Sequence, residues 1–239
     1  MNSRPSDSDL AAPRFSLLSM AQEAAGLLEL PRLAYAFPSL LREPRGDGSE
    51  VVVVPGFGAD DLSTWPLRRF LAARGHAARG WGLGANRAEV PDSIAAVGPA
   101  VRASAERSGT RLALVGWSLG GYIAREVARD HPDAVRRVVT FGSPVIGGPK
   151  YTTASALAGV RGWDLDEIEA WVEERKRIPL RVPVTAIYSR RDGVVAWRAC
   201  VDSEGDGPID HVEVDATHVG LGFSADVFRL VARRLAEPG

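Results

Sequence analysis

Two kinds of apolar pattern alternate along this 239-residue chain. One is the short, mostly apolar run rich in valine: residues 51–54, 112–115, 135–141 and 184–188. The other is a longer stretch with apolar residues at helical spacing, as in residues 62–74, 93–107 and 225–236. The short runs, bounded by glycine and proline, read as buried strands, and the long ones as helices packed on them. Residues 77–81 and 211–214 add two shorter strands. This alternation predicts an α/β fold, with a mostly parallel sheet of about six strands covered by helices on both faces. In such a sheet, functional groups collect in the loops at the carboxyl ends of the strands.

The pattern places one domain over residues 51–239, preceded by an extension (residues 1–50) with one or two helices. The first fourteen residues are polar, with proline and serine, and are expected to be disordered. Residues 15–30 are helical in composition, but Gln22, Glu23 and Glu29 interrupt them and the stretch is too short to span a bilayer. Packing on the core is preferred for it over contact with a membrane surface. Residues 145–182 form an insertion that opens on Gly147-Gly148-Pro149 and holds a helix from about Asp164. Asp164 and Glu167 have capping-box spacing, and Leu165, Ile168, Trp171 and Val172 share one face. A small helical lid above the carboxyl edge and a helix merely packed on the sheet both fit.

The candidate chemistry starts at Gly116-Trp117-Ser118-Leu119-Gly120, entered by the strand at Leu112 and left by a helix carrying Tyr122, Ile123 and Val127. The five-residue pattern alone is weak, but strand before and helix after are the context of a nucleophile elbow. Positions 116 and 120 lack a Cβ where helix folds back on strand, and the serine between them sits in a strained turn. The helix start directs free N–H groups and a positive dipole end at Ser118.

A serine needs a base, and the chain has four histidines. His76 and His211 fall at the amino edge of strands and His131 at a helix end before Pro132. His218 alone follows the last strand at the carboxyl edge. The carboxylate that orients it is assigned to Asp192, after the strand at 184–188. Asp164 and Asp166 are the rivals, and Asp215 is too near His218 in sequence. Asp192 before Gly193 would also suit an ordinary turn. The chain order Ser…Asp…His is that of a hydrolase built on a nucleophile elbow. Oxyanion donors are expected from the N–H of Leu119 and of Phe57, which follows Gly56 after the first strand. Gly56 and Gly58 lack the third glycine and later acid of a dinucleotide loop.

A net charge of −1 with interspersed signs carries no nucleic-acid footprint. The single cysteine, Cys200, excludes an internal disulfide and a cysteine metal cluster, and it reads as a buried thiol. No secretory signal pattern opens the chain, so cytoplasmic residence is the expectation.

On Gly116-Trp117-Ser118-Leu119-Gly120, Pro55-Gly56-Phe57, Asp192-Gly193-Val194-Val195 and Thr217-His218, the chain resembles the α/β-hydrolase fold superfamily, and its lipase/esterase-like members in particular. The resemblance covers residues 51–236. It departs where many relatives have His-Gly before the oxyanion donor and this chain has Pro55-Gly56, and it lacks the early antiparallel strands. It implies hydrolysis of a small-molecule carboxylic ester, apolar in its acyl part, with no cofactor or metal. Trp81, Trp117, Val145, Trp163 and Trp171 are the expected acyl pocket, although large apolar residues also serve simply as core. A thioesterase or amidase using the same triad, or a ligand-binding protein that kept the fold, are the alternatives. Activity is expected to rise with pH through about 6 to 7 as the base loses its proton.

Overall fold

A computed structural model describes residues 10–13, 16–201 and 208–237. Six strands form one wholly parallel sheet: β1 (Glu50–Val54), β2 (Ala77–Gly80), β3 (Leu112–Trp117), β4 (Val135–Phe141), β5 (Val184–Tyr188) and β6 (Ile209–Glu213), in the order β2-β1-β3-β4-β5-β6. The chain adds β2 on one side of β1 and β3 on the other, so the loops after β1 and β3 diverge around a crevice at the carboxyl edge.

The valine run explains its own lack of polar members. Val51 and Val53 enter one core with Phe70, Leu71, Phe228 and Val231, while Val52 and Val54 enter the other with Val97, Val101, Ile123 and Val127. A strand's side chains alternate between faces, and here both faces are covered. The first core is closed by α2 (Glu29–Leu40), α3 (Trp65–Ala73), the short α8 (His218–Leu221) and α9 (Ala225–Ala236). The second is closed by α4 (Val90–Ser108) and α5 (Leu119–Asp130). Each of these buried valines contributes about 1.5–3 kcal/mol.

Several boundaries differ from the sequence reading. Helix α4 starts at Val90, because Pro91 suits a first turn that needs no N–H. Strand β6 begins at Ile209, so His211 lies within it rather than at its start. The amino-terminal helical stretch is longer than residues 15–30. It runs as α1 (Leu17–Ala25), a 3₁₀ turn (Gly26–Leu28) and α2, which continues past Pro38 to Leu40. The expectation of disorder for residues 1–14 falls mostly outside the described residues, but Leu10 corrects it locally. Leu10 is buried against Tyr151, Val195 and Ala199, an apolar nest that a fluctuating tail would not fill. Among the described residues no helix is long and apolar enough to cross a membrane.

The 145–182 segment holds a 3₁₀ turn (Gly148–Tyr151), another (Thr153–Leu157), α6 (Ala158–Arg161) and α7 (Leu165–Arg175). Asp164 caps α7, its carboxylate accepting the N–H groups of Asp166 and Glu167. Both ends of α7 are tied down. Lys150 pairs with Asp166 (2.9 Å) and Glu169 (2.6 Å) at one end. At the other, Arg175 reaches the buried Glu126 and Asp130 of α5, each at 2.8 Å. Arg129 joins the same buried carboxylate at 3.0 Å, so Glu126 is compensated on two sides.

Candidate active site

Ser118 stands between the last residue of β3 and the first of α5 with φ 54° and ψ −128°. A non-glycine residue in this region costs about 1–3 kcal/mol and persists only when its surroundings enforce it. They do so here through packing. A Cβ on Gly116 would lie 2.3 Å from Gly121 Cα, and one on Gly120 would lie 2.3 Å from the Val54 carbonyl oxygen. The Ser118 N–H is held by the Phe141 carbonyl (2.8 Å), and its carbonyl accepts the N–H of Gly121 (2.9 Å). Leu119 is the first residue of α5, so its N–H has no acceptor within the helix.

The loop after β1 runs beside the serine, with Gly56 against Ser118 Cβ. Its shape is set by Asn86, a fully buried residue that the sequence reading passed over. The Asn86 side-chain amide donates to the Pro55 carbonyl (2.9 Å), and the Asn86 backbone carbonyl accepts the Gly58 N–H (2.8 Å). Its own N–H goes to Ala59 (2.8 Å), and the Ala59 N–H goes back to Gly56 (3.2 Å). With Gly58 and Ala59 committed in this way, Phe57 lies at the tip of a clamped turn.

Asp192 and His218 meet directly. His218 Nδ1 lies 2.7 Å from Asp192 Oδ2, and both side chains are buried. The other Asp192 oxygen accepts the N–H groups of Val194 (2.9 Å) and Val195 (2.7 Å), so the turn role and the imidazole role coexist in one carboxylate. Burial pushes the His218 pKa down, but the charge and hydrogen bond of Asp192, with the charge of Glu23, carry it above the ordinary histidine value. The rival acids are engaged elsewhere: Asp164 caps α7, Asp166 pairs with Lys150, and Asp215 is an exposed partner of Arg191 at 3.2 Å. Among the other histidines, His131 ends α5 and packs near Gly98, and His76 is buried beside Gly46. Cys200 is a buried thiol held neutral by burial and by the negative Asp192 nearby.

Ser118 and His218 line the same cavity, of about 530 Å³. Of the expected pocket residues, Trp117, Trp163 and Trp171 line it too, beside Phe57 and Leu119. Trp163 meets Phe57 edge-on (5.8 Å between centroids), with the Arg161 guanidinium over both rings. Two expected pocket residues are elsewhere. Trp81 is buried in the α4-side core, its indole N–H on the Gly84 carbonyl (2.9 Å), because it leaves the edge strand β2 toward Ile94 and Val97. Val145 is packed with Tyr122 and Val172 behind the wall. Their places in the lining are taken by Ile168, Val172, Tyr122, Val90 and Val219. Ile168 and Val172 lie on the apolar face of α7 that the sequence shows, but no pattern marks Tyr122, Val90 or Val219 as lining, since the cavity wall comes from four separate loops and helices.

The sheet order, with the strained serine after β3 at the switch point, is that of the α/β-hydrolase fold. Comparison with solved structures agrees. One of two metagenome-derived lipolytic enzymes superposes with a TM-score of 0.60 at 20% identity, over 80% of this chain and 93% of that one. A monoacylglycerol lipase from Paleococcus ferrophilus gives 0.58 at 17% identity, over 81% of this chain and 96% of that one. The Bacillus licheniformis lipase BlEst2 gives 0.59 at 14% identity, over 81% and 94%. The same fold is also found in an epoxide hydrolase from Bacillus megaterium (0.52, 15% identity, over 80% and 94%), so fold alone does not choose the reaction. In sequence, the chain is similar to the pimeloyl-[acyl-carrier protein] methyl ester esterase of Aliivibrio salmonicida, 28% identical over 142 residues, which is 57% of this chain. The match spans half the length of that relative. No family model matches.

Proposed function

We propose that the protein is a serine hydrolase of carboxylic esters with an apolar acyl group. The observation that carries this reading is the buried 2.7 Å contact between His218 and Asp192, in a cavity that also holds the strained Ser118. Asp192 occupies Nδ1 of the imidazole and leaves Nε2 to take a proton. The Ser118 hydroxyl attacks the ester carbonyl as its proton passes to His218. The oxyanion that forms is received by the N–H groups of Phe57 and Leu119, each worth about 3 kcal/mol in the transition state. Collapse expels the alcohol, which takes the proton from His218, and water then releases the acyl group by the same path.

The cavity wall supports the substrate class. Phe57, Trp163, Ile168, Trp171 and Val172 form a nearly unbroken apolar surface, which suits a hydrocarbon chain and gives little to a charged one. The segment carrying Trp163 and α7 acts as its roof. The solved neighbours named for lipolytic activity and the relative named for a methyl ester both favour the ester bond.

The test is intact-protein mass after fluorophosphonate treatment, beside Ser118→Ala, followed by p-nitrophenyl esters of increasing chain length, acyl-CoA and matched anilides. One adduct on the wild type, none on the variant, and a preference for oxygen esters longer than acetyl is the expected result. An unlabelled, folded wild type would refute the nucleophile assignment. Faster turnover of acyl-CoA or anilide would move the reading to a thioesterase or amidase.

A further inference from the structure

Glu23 lies outside the triad and yet grips both of its supporting loops. It sits on α1, where Leu17 and Leu18 are 86% and 70% exposed while Glu23 is 8% exposed. The helix turns a carboxylate inward and its leucines outward, the reverse of ordinary amphipathicity. Inside, Oε1 accepts the N–H of Gly193 at 2.7 Å and of His218 at 3.1 Å, and Oε2 accepts the N–H of Val219 at 2.8 Å. Gly193 follows Asp192 directly, and His218 is the candidate base itself. One carboxylate therefore joins the loop after β5 to the loop after β6, across 170 and 195 residues of sequence.

We propose that Glu23 is a positioning residue of the hydrolytic site: by fastening the Asp192 loop to the His218 loop, it sets the register in which acid and base meet. The inference rests on the reading of Ser118, Asp192 and His218 as a triad. A carboxylate suits the task because it only accepts, and three converging N–H donors ask for nothing else. Hydrogen bonds to a charged acceptor are also about twice as strong as neutral ones. A glutamine would turn an NH₂ group toward at least one of those donors.

The approach of α1 is itself specific. Just past its end, a Cβ on Gly26 would lie 2.4 Å from Thr217 Oγ1 and 2.6 Å from the Gly220 nitrogen. Only glycine at position 26 lets the turn settle on the His218 loop, and that contact keeps Glu23 within reach. The amino-terminal extension thus completes the site rather than decorating the domain.

Charge adds a readable signature. The groups facing the His218 ring are Asp192 at Nδ1, Glu23 from α1 and the Trp117 ring at 6.1 Å between centroids. Near Asp192, Cys200 stays a neutral thiol, and Arg191 is paired at the surface with Asp215. Removing the Glu23 charge leaves Asp192 as the one carboxylate among these groups that holds the imidazolium, so His218 loses its proton at lower pH.

The experiment compares wild type with Glu23→Gln by the pH dependence of kcat and KM on a p-nitrophenyl ester. The imidazole titration of His218 is followed by NMR, its resonance assigned through loss in His218→Asn. The expected result is kcat lower by about tenfold with KM changed less than about twofold. The acid limb and the His218 titration should both move to lower pH by about half a unit. Glu23→Asp, too short by one methylene to hold both loops, should recover part of the titration shift but not kcat. If Glu23→Gln does not fold, Glu23→Asp carries the same kcat comparison. A variant that melts earlier but keeps the wild-type kcat and His218 titration would overturn the proposal, since a purely structural anchor behaves that way. Should the wild type itself hydrolyse no ester, the proposed function falls, while the NMR titration still decides whether Glu23 acts on His218.

Discussion

The sheet carries a buried histidine at each edge, and the two are opposites. His76, just before β2 at the amino edge, is 5% exposed, and no carboxylate stands at hydrogen-bond distance from its ring nitrogens. Burial lowers its pKa, helped by the positive Arg136. His218, beyond β6 at the carboxyl edge, is as deeply buried at 6%, yet Asp192 and Glu23 raise its pKa. Similar exposure with opposite shifts shows that neighbouring charge decides the direction: burial and a nearby guanidinium leave one imidazole neutral. A carboxylate at hydrogen-bond distance makes one that can take and return a proton. The loops at the carboxyl edge supply that carboxylate, and the packed helices at the amino edge do not.

The largest effect that would break this contrast belongs to the serine. Ser118→Ala should abolish measurable ester turnover while leaving the melting temperature at or above that of wild type, as measured by calorimetry. Residual activity within tenfold of wild type would mean the nucleophile lies elsewhere. Asp192→Asn comes next, with kcat falling by up to about 10⁴-fold through the wrong imidazole tautomer. The exposed acid three residues before the base is the internal control: Asp215→Asn should change turnover less than about twofold, since its pair with Arg191 is solvent-screened.

The two tryptophans that the structure separates sharpen the comparison further. Trp81→Ala should cost about 3–5 kcal/mol in denaturant unfolding without altering acyl-chain preference. Trp163→Ala should cost less stability and shift preference toward bulkier or longer acyl groups. Identical chain-length profiles for both would dissolve the distinction between core and cavity wall.

The smallest effects are in pH. A base whose pKa is raised gives kcat/KM an acid limb centred above the ordinary histidine value of about 6.5, higher than composition alone suggests. The linked stabilities have opposite signs. His218 binds its proton more tightly when folded, so its contribution is full below the unfolded pKa and fades as pH rises through the folded one. His76 binds its proton less tightly when folded, so it weakens the protein as pH falls through the unfolded pKa toward the folded one. His76→Leu should flatten the acid side of a stability-against-pH curve and leave turnover unchanged; a steeper acid side would reverse the assignment.

Much of the fold was legible because its signals are local. The valine run of β1, the span of β4 and that of α9 follow from apolar periodicity and turn residues, which neighbours in sequence determine. The elbow was legible for the same reason: Gly116, Ser118 and Gly120 encode a strand-turn-helix within five residues. His218 and Asp192 could be placed at the carboxyl edge because each follows its own strand directly. The pocket was only partly legible. Trp81 and Trp163 look alike in sequence, and the direction in which each leaves its element is set by what packs against it.

By itself, then, the sequence determined a mostly parallel sheet of about six strands, a serine lifted on a strained turn, and a short list of groups able to serve it. Only tertiary structure decided which acid of several touches the imidazole, which tryptophans face the cavity, and that Asn86 and Glu23 hold the surrounding loops. The physical reason is range. Backbone strain and strand periodicity are settled within a few residues. A carboxylate on α1 meets the N–H of His218 across 195 residues only after the whole sheet has formed.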